Sequence, residues 1–405
     1  MDSTGVVDVR ALAADHGRIA LGGAFKRDLF VAGATRTATD DNEASFAVSL
    51  TTDGAVRWVT SEDASSASIV DLALEAASTL AVGARKVGFF DEDHLTVRRY
   101  SESGSVVASY VGPPDTSDGA VVLRDESVLV LAEFSAPAQF GPTGSVQRPA
   151  AYPFADLVLI ELDRELVHVR DQHFTREATR GQSVRNLELD GDGLVFGASV
   201  QGVVDYGLSA EGSEGYVAAH LVGVLGEGAA WHRPFGGFPS SASTADFVVL
   251  DDGGLLVGGS WRGSIDFDEG PVPTEVSTRR EGFITRYTAG AASLMWLYHL
   301  RRETPVARVA VDTITDRIVV SGSFFREADF GGGTRVGSGG FILALTPEGN
   351  YICDQTFEAH ISELAFDEHG ALVVVFSITD GVELGGELRV PSGTRSAGIV
   401  RYRPR

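Results

Sequence analysis

A phrase of about sixty residues, repeated seven times, constrains this chain more than any other feature. Its core is an apolar run, an acidic or glycine turn, and a second apolar run that often ends in Gly. The copies read VRALAADHGRIALGG (9–23), IVDLALEAASTLAVG (69–83), AVVLRDESVLVLAEF (120–134), VRNLELDGDGLVFGAS (184–199), DFVVLDDGGLLVGGS (246–260), VARVAVDTITDRIVVSG (306–322) and ISELAFDEHGALVVVF (361–376). The turns near Gly17, Ala77, Glu126, Gly193, Gly254, Asp316 and Gly370 lie about 59 residues apart on average. That length holds four strands of about six residues with their turns. Stacked repeats form one continuous body, so the length of 405 residues does not argue for two or three ordinary domains. The expectation is an all-β, seven-bladed β-propeller of four-stranded antiparallel blades spanning 1–405.

Residue usage points the same way. Leu, Ile and Val fall in short runs bounded by Gly, Asp, Ser and Pro, and 48 Gly imply many tight turns. No stretch keeps the i, i+3, i+4 apolar spacing of a long helix. A second hairpin follows in each unit, at 44–59, 94–111, 156–174, 215–235, 282–300 and 340–357. Its seventh copy is half present, as AGIVRYRPR (397–405). The last blade is therefore expected to be incomplete, with three strands, unless Met1 to Gly5 add a short edge or a longer parent chain continues. Arg401, Arg403 and Arg405 would blunt an open edge there. Trp58, Trp231 and Trp296 occupy equivalent outer-strand places and are expected to pack blade against blade.

The stretches LLVGGSWRGSIDFDEG (255–270), RIVVSGSFFREADFGGG (317–333), LVFGASVQGVVDYG (194–207) and AWHRPFGG (230–237) resemble bacterial SBBP-type β-propeller repeats. That family pattern combines a V-x-G-x-F…DFG strand, an F-V/I-A-K-L strand, a G-x-x-x-W hairpin and an A-V-D strand. The likeness is clear in the C-terminal half and eroded in the N-terminal blades, where KVGFFDED (86–93) and FSAPAQFGP (134–142) keep the strand without the DFG. The outer hairpins also resemble quinoprotein-type propeller repeats, without any cofactor pattern to match. Both resemblances imply a propeller and neither implies a chemistry. The first implies an exported or surface-associated protein of undefined activity.

The formal net charge is −23, with a pI near 4.7. Such a field repels phosphate backbones and anionic membrane surfaces, so nucleic acid is not an expected partner. No run of 18 apolar residues would span a membrane. Cys353 is the one cysteine, which excludes an intrachain disulfide, and its place in the run YIC suggests a buried thiol. The segment MDSTGVVDV has no basic or apolar leader character, so no signal peptide is expected within it. The expected location is secreted or cell-envelope, as a mature form or excised domain; a cytoplasmic one stays open.

Strand order sorts the loops. First-to-second and third-to-fourth turns are short and share one face. The longer second-to-third loops (33–43, 141–155, 207–214, 268–281 and 331–339) and the blade-to-blade connections share the other. Long loops on a rigid ring are where binding sites concentrate. On that face Arg279, Arg280, Arg301 and Arg302 belong to the two loop sets of one blade. Together they would clamp a carboxylate or sulfate, or they pair with Glu275, Glu281 and Glu303 nearby. Arg148, Tyr152 and Phe154, on a Pro-stiffened loop, suit a protein or sugar contact, or plug the channel.

No cofactor is expected; the alternative is weakly bound Ca2+ at Asp40-Asp41-Asn42-Glu43 or Asp91-Glu92-Asp93, whereas Asp190, Asp192, Asp251 and Asp252 read as turn residues. There is no zinc-type Cys/His cluster, P-loop, nucleophile elbow or dinucleotide fingerprint, and no residue is assigned a catalytic role. The leading expectation is a non-catalytic binding or assembly module with a protein or glycan partner. One alternative is a carbohydrate-active lyase or hydrolase with acids from several blades at the channel mouth. A carboxylate pair in the channel, about 5 to 10 Å apart with raised pKa, would favour it. Another is a structural subunit whose seventh blade takes a strand from a partner chain.

Overall fold

The computed structural model describes all residues except 1–5, 32, 39–42, 63–66, 88–91, 143–145, 148, 150–154, 175–176, 179–181, 209, 227, 237–239, 276–277, 380–394 and 404–405. Seven antiparallel sheets stand in a ring as a seven-bladed β-propeller. The inner strands are Val7–Asp15, Ser68–Glu75, Thr116–Arg124, Gln182–Asp190, Ser241–Val249, Val306–Asp312 and His360–Phe366. Within each blade the next strands follow outward in chain order, and among the described residues the seventh blade has three, the last being Ser396–Tyr402. Blade four gains a two-residue strand, Glu177–Ala178, beside the far end of its second strand.

An apolar cluster fills each blade-to-blade interface. Blades four and five share an aromatic one of Phe235, Phe247, Trp261, Phe267, Phe283 and Tyr287. Blades one and two share a smaller-grained one of Ala11, Ala20, Ala47 and Ala81 with Trp58 and Tyr100. Blades seven and one are joined through Val373, Val375 and Ala397 packed with Phe25, Phe46 and Val48, which closes the ring. The Gly17 N–H also donates to Glu368 Oε1 at 2.6 Å, and Val6 bridges Arg395 in parallel. The tryptophans pack as their spacing suggests: Trp58 and Trp296 lie on the turn glycines Gly104 and Gly349 of the following blade. Trp296 Nε1 donates to the Pro347 carbonyl at 3.1 Å.

The glycine that ends the repeated phrase has a structural cause. The inner strand of every blade carries a β-bulge at the same place. In four blades a Gly of the second strand, Gly23, Gly83, Gly259 or Gly322, sits against it, where a Cβ would overlap a carbonyl oxygen in the inner strand or, for Gly322, that of Pro305 just before it. The DFG-like segments are structural too. Asp205, Asp266 and Asp329 accept the N–H groups of Gly207 (2.6 Å), Asp268 (2.8 Å) and Gly331 (2.8 Å), and the intervening Tyr206, Phe267 and Phe330 are buried in the blade. The third position needs a left-handed backbone, φ 93° at Gly207 and 105° at Gly331. Blade five puts Asp268 there at φ 96°, and its carboxylate takes Arg233 of blade four at 2.8 and 2.9 Å.

Two expectations change. Cys353 is exposed rather than buried, because its strand Tyr351–Phe357 is the outer edge of blade six. The loops at 207–214 and 331–339 are largely strand: in blades four and six the second and third strands run on as long hairpins, Gly193–Asp205 with Ala210–Leu225 and Arg317–Asp329 with Thr334–Leu345. In blades one, three and five the same connection folds into a small two-stranded ribbon.

Candidate functional site

Among the described residues, the central channel and the rim cleft between blades five and six both gather chemistry-bearing side chains. The channel, a cavity of about 440 Å³, is walled by the bulged inner strands. The residues just past the bulge are Ala11, Asp71, Gly119, Asn186, Asp246, Arg308 and Glu363. A bulge leaves backbone donors without ladder partners, and an inner strand is the edge of its sheet. Asp71 and Asp246 meet both needs. Asp71 accepts its own neighbour's N–H, Leu72, at 2.8 Å and the Val121 N–H of blade three at 2.8 Å. Asp246 accepts Phe247 N–H at 3.0 Å and Val309 N–H of blade six at 3.0 Å, and Asn186 of blade four donates to it at 3.0 Å. Arg308 clasps Glu363 of blade seven through Nε–Oε2 at 2.6 Å and Nη2–Oε1 at 2.5 Å. A belt of polar contacts thus laces successive inner strands.

Burial shifts these groups. Asp71, Glu188 and Asp246 are partly exposed along the channel but walled in by protein. Desolvation pushes Asp71 up to about 6 and raises Asp246, against the hydrogen bonds that favour their anions. Glu188 goes to about 8, from burial first and then the Asp246 and Asp71 charges. Glu363 goes to about 7 from burial, with Arg308 opposing. Burial acts to lower the Arg308 pKa, and the Glu363, Asp246 and Asp71 carboxylates outweigh it. Asp71 and Asp246 belong to no sequence motif, yet superposing the repeat copies exposes them, and Glu188 stands two places further on, where the other copies carry Ala or Val. VRALA, IVDLA, VRNLE, VARVA and ISELA all put a variable, mostly polar residue third, where blade five has Asp246.

The second place lies on the long-loop face. A cleft of about 490 Å³ is lined by Glu275, Tyr298, His299, Arg301, Arg302 and Asp329, among others. The loops bearing the arginine pairs meet here. Arg279 Nη1 lies 3.5 Å from Glu303 Oε2, and Arg301 Nη1 3.4 Å from Glu275 Oε1, a reciprocal exchange between the two loops. Arg302 pairs with Glu327 of blade six, and Arg280 donates to Ser260 Oγ at 3.3 Å. Burial, then Arg262, lowers the Arg280 pKa. Glu281, fully buried, instead accepts from His299 Nε2 at 2.6 Å and from the Glu275 N–H at 2.8 Å. The His299–Glu281 pair is invisible to spacing, because its members sit on neighbouring strands eighteen residues apart. Arg148, Tyr152 and Phe154 lie outside the described residues, as do Asp40, Asp41, Asn42 and Asp91. Among the described residues no group of three or more His, Cys, Asp or Glu is placed to hold a metal ion.

No protein-family model and no curated protein matches the chain. Solved structures do. A chain of a mitotic checkpoint complex matches with TM-score 0.52 at 11% identity, over 92% of this chain and 86% of that one. The β-propeller domain of a trilobed protease from Pyrococcus furiosus, described as having an open velcro topology, matches with TM-score 0.52 at 8% identity, over 98% and 97%. An acylaminoacyl peptidase of Pyrococcus horikoshii matches with TM-score 0.52 at 10% identity, over 98% of this chain and 51% of that one, so the chain spans about half the peptidase's length. At such identities the likeness defines the class, a seven-bladed β-propeller, and nothing narrower.

Proposed function

We propose that this chain is a bacterial SBBP-type propeller, exported or displayed at the cell envelope, that works as a non-catalytic binding or assembly module and holds a protein or glycan partner on its long-loop face. One observation carries the proposal: the acids and guanidinium past the inner-strand bulges bond across blades, as Asp246 does to Val309 and Arg308 to Glu363, and so serve the ring itself. The long-loop face is where connections differ most from blade to blade and where exposed arginines gather. The test is a pull-down and glycan array with purified protein, repeated with Arg279, Arg280, Arg301 and Arg302 changed to Glu. A partner that binds the wild type and is lost by the variant supports the proposal; unchanged binding removes the arginines from it.

A second reading has one observation in its favour. Raised carboxyl pKa values cluster in the channel, with Glu188 at about 8 beside Asp246 and Asp71. That is the electrostatic setting of a general acid. Product release from a panel of polysaccharides, abolished by Glu188→Gln, would establish a carbohydrate-active enzyme instead.

A further inference from the structure

We infer that the cleft between blades five and six is a glycan site that selects sugars carrying a carboxylate. The inference deepens the proposed function and rests on its reading of the long-loop face. Every lining group comes from a loop or strand end on that face: the outer strand of blade five and its exit (Tyr298, His299, Arg301, Arg302), the Glu275 loop, and the hairpin of blade six (Asp329, Thr334).

The donor set fits a polyhydroxylated ligand. Tyr298 is anchored by its hydroxyl, which donates to the Phe330 carbonyl at 2.6 Å, so its ring is a fixed wall. His299 is held against Trp261 with ring centroids 4.7 Å apart. Its Nε2 lies 2.6 Å from a carboxylate oxygen of the buried Glu281, and among the described residues its Nδ1 has no hydrogen-bond partner, which leaves that nitrogen for a ligand hydroxyl. Two-sided acceptance by Glu281, from His299 and from the Glu275 N–H, fixes the orientation of that imidazole. Hydroxyl groups need such mixed donors and acceptors beside an aromatic face. The carboxylate preference comes from Arg301. Its side chain is 68% exposed and meets Glu275 through one nitrogen at 3.4 Å, so most of its five N–H donors are unengaged. A planar guanidinium with an open edge receives a carboxylate through two parallel hydrogen bonds. The cavity, about 490 Å³, lies within the range of small-ligand sites.

The test is calorimetric titration of the full chain with an oligogalacturonate and, separately, with the neutral oligogalactose of equal length. The expected result is binding of the uronate, a roughly tenfold loss in Arg301→Gln, and little change in the neutral ligand's weaker affinity. His299→Phe is expected to weaken both ligands alike, with thermal melting confirming that each variant folds. Uronate binding that ignores both variants would overturn the cleft but leave the long-loop face standing if the four-arginine variant still abolishes binding. Uronate binding that ignores that variant as well, or capture of a protein alone with no sugar bound, overturns the cleft proposal; in the first case the binding-face reading falls too.

Discussion

The channel wall and the long-loop rim are both rich in charge, but their charges are bonded differently. On the wall, Asp246 holds two backbone N–H groups and an amide from three consecutive blades, and Arg308 holds Glu363 bidentately. On the rim, Arg279 meets Glu303 and Arg301 meets Glu275 through single long contacts between half-exposed side chains. A charged residue in a cleft is thus no guide to function until its partners are known. Where the partner is another blade's backbone, the residue belongs to the scaffold.

If that contrast is right, cutting the belt costs far more stability than cutting the rim. Asp246→Ala removes the acceptor for Phe247 and Val309 and takes one acceptor from Asn186. The expected loss is about 3 kcal/mol in urea unfolding, because buried backbone donors are left unpaired. A loss as small as that of a surface pair would erase the distinction. Next in size comes the outer belt. Trp296→Ala uncovers the Gly349 turn and strips the Pro347 carbonyl of a donor, for about 2 kcal/mol, reduced from a full core deletion because Trp296 is only partly buried.

The same contrast has a pH signature. An acid whose pKa is raised by folding contributes stability below its unfolded value and loses it as pH rises through the folded one. For Glu188 that window runs from the ordinary carboxyl range to about 8, and for Asp71 it ends near 6. Melting temperature is therefore expected to fall between pH 5 and pH 9, and Glu188→Gln to flatten the upper half of that fall, by about 1 kcal/mol. A wild type whose stability is level across the range would show that the channel acids do not titrate as a walled-in group.

The ring and its strand pairs were legible in the sequence because a sixty-residue period and alternating apolar runs are local signals. Each expected inner hairpin, such as 246–260, falls on an observed one. The incomplete seventh blade was legible for the same reason. What escaped was everything set by neighbours in space. The extended hairpins of blades four and six pair polar, glycine-containing stretches such as Thr334–Gly339 that read as loop. The exposure of Cys353 follows from its strand being an edge, which its apolar neighbours conceal. Asp71 and Asp246 were assigned no role from the sequence, and only the bulge explains why an acid sits there. The arginine pairs were found by spacing, and so were two of the acids that meet them, but His299 was not, because its tie to Glu281 crosses between strands.

The smallest expected effect is the most informative about the rim. Arg279 and Glu303 are 42% and 33% exposed and approach to 3.5 Å through one nitrogen. Water screens such a pair, and ordering two long side chains offsets much of the attraction. A double-mutant cycle of Arg279→Ala and Glu303→Ala should give a coupling below about 0.5 kcal/mol, shrinking further at high salt. The same holds for Arg301 and Glu275. A guanidinium held that weakly is exchanged readily for a ligand carboxylate, since the change of partner sacrifices little folding energy. A coupling well above 1 kcal/mol would place the rim with the wall, as scaffold. The arginines would then be locked in place, and the asymmetry between the two regions on which a binding face is argued would be gone.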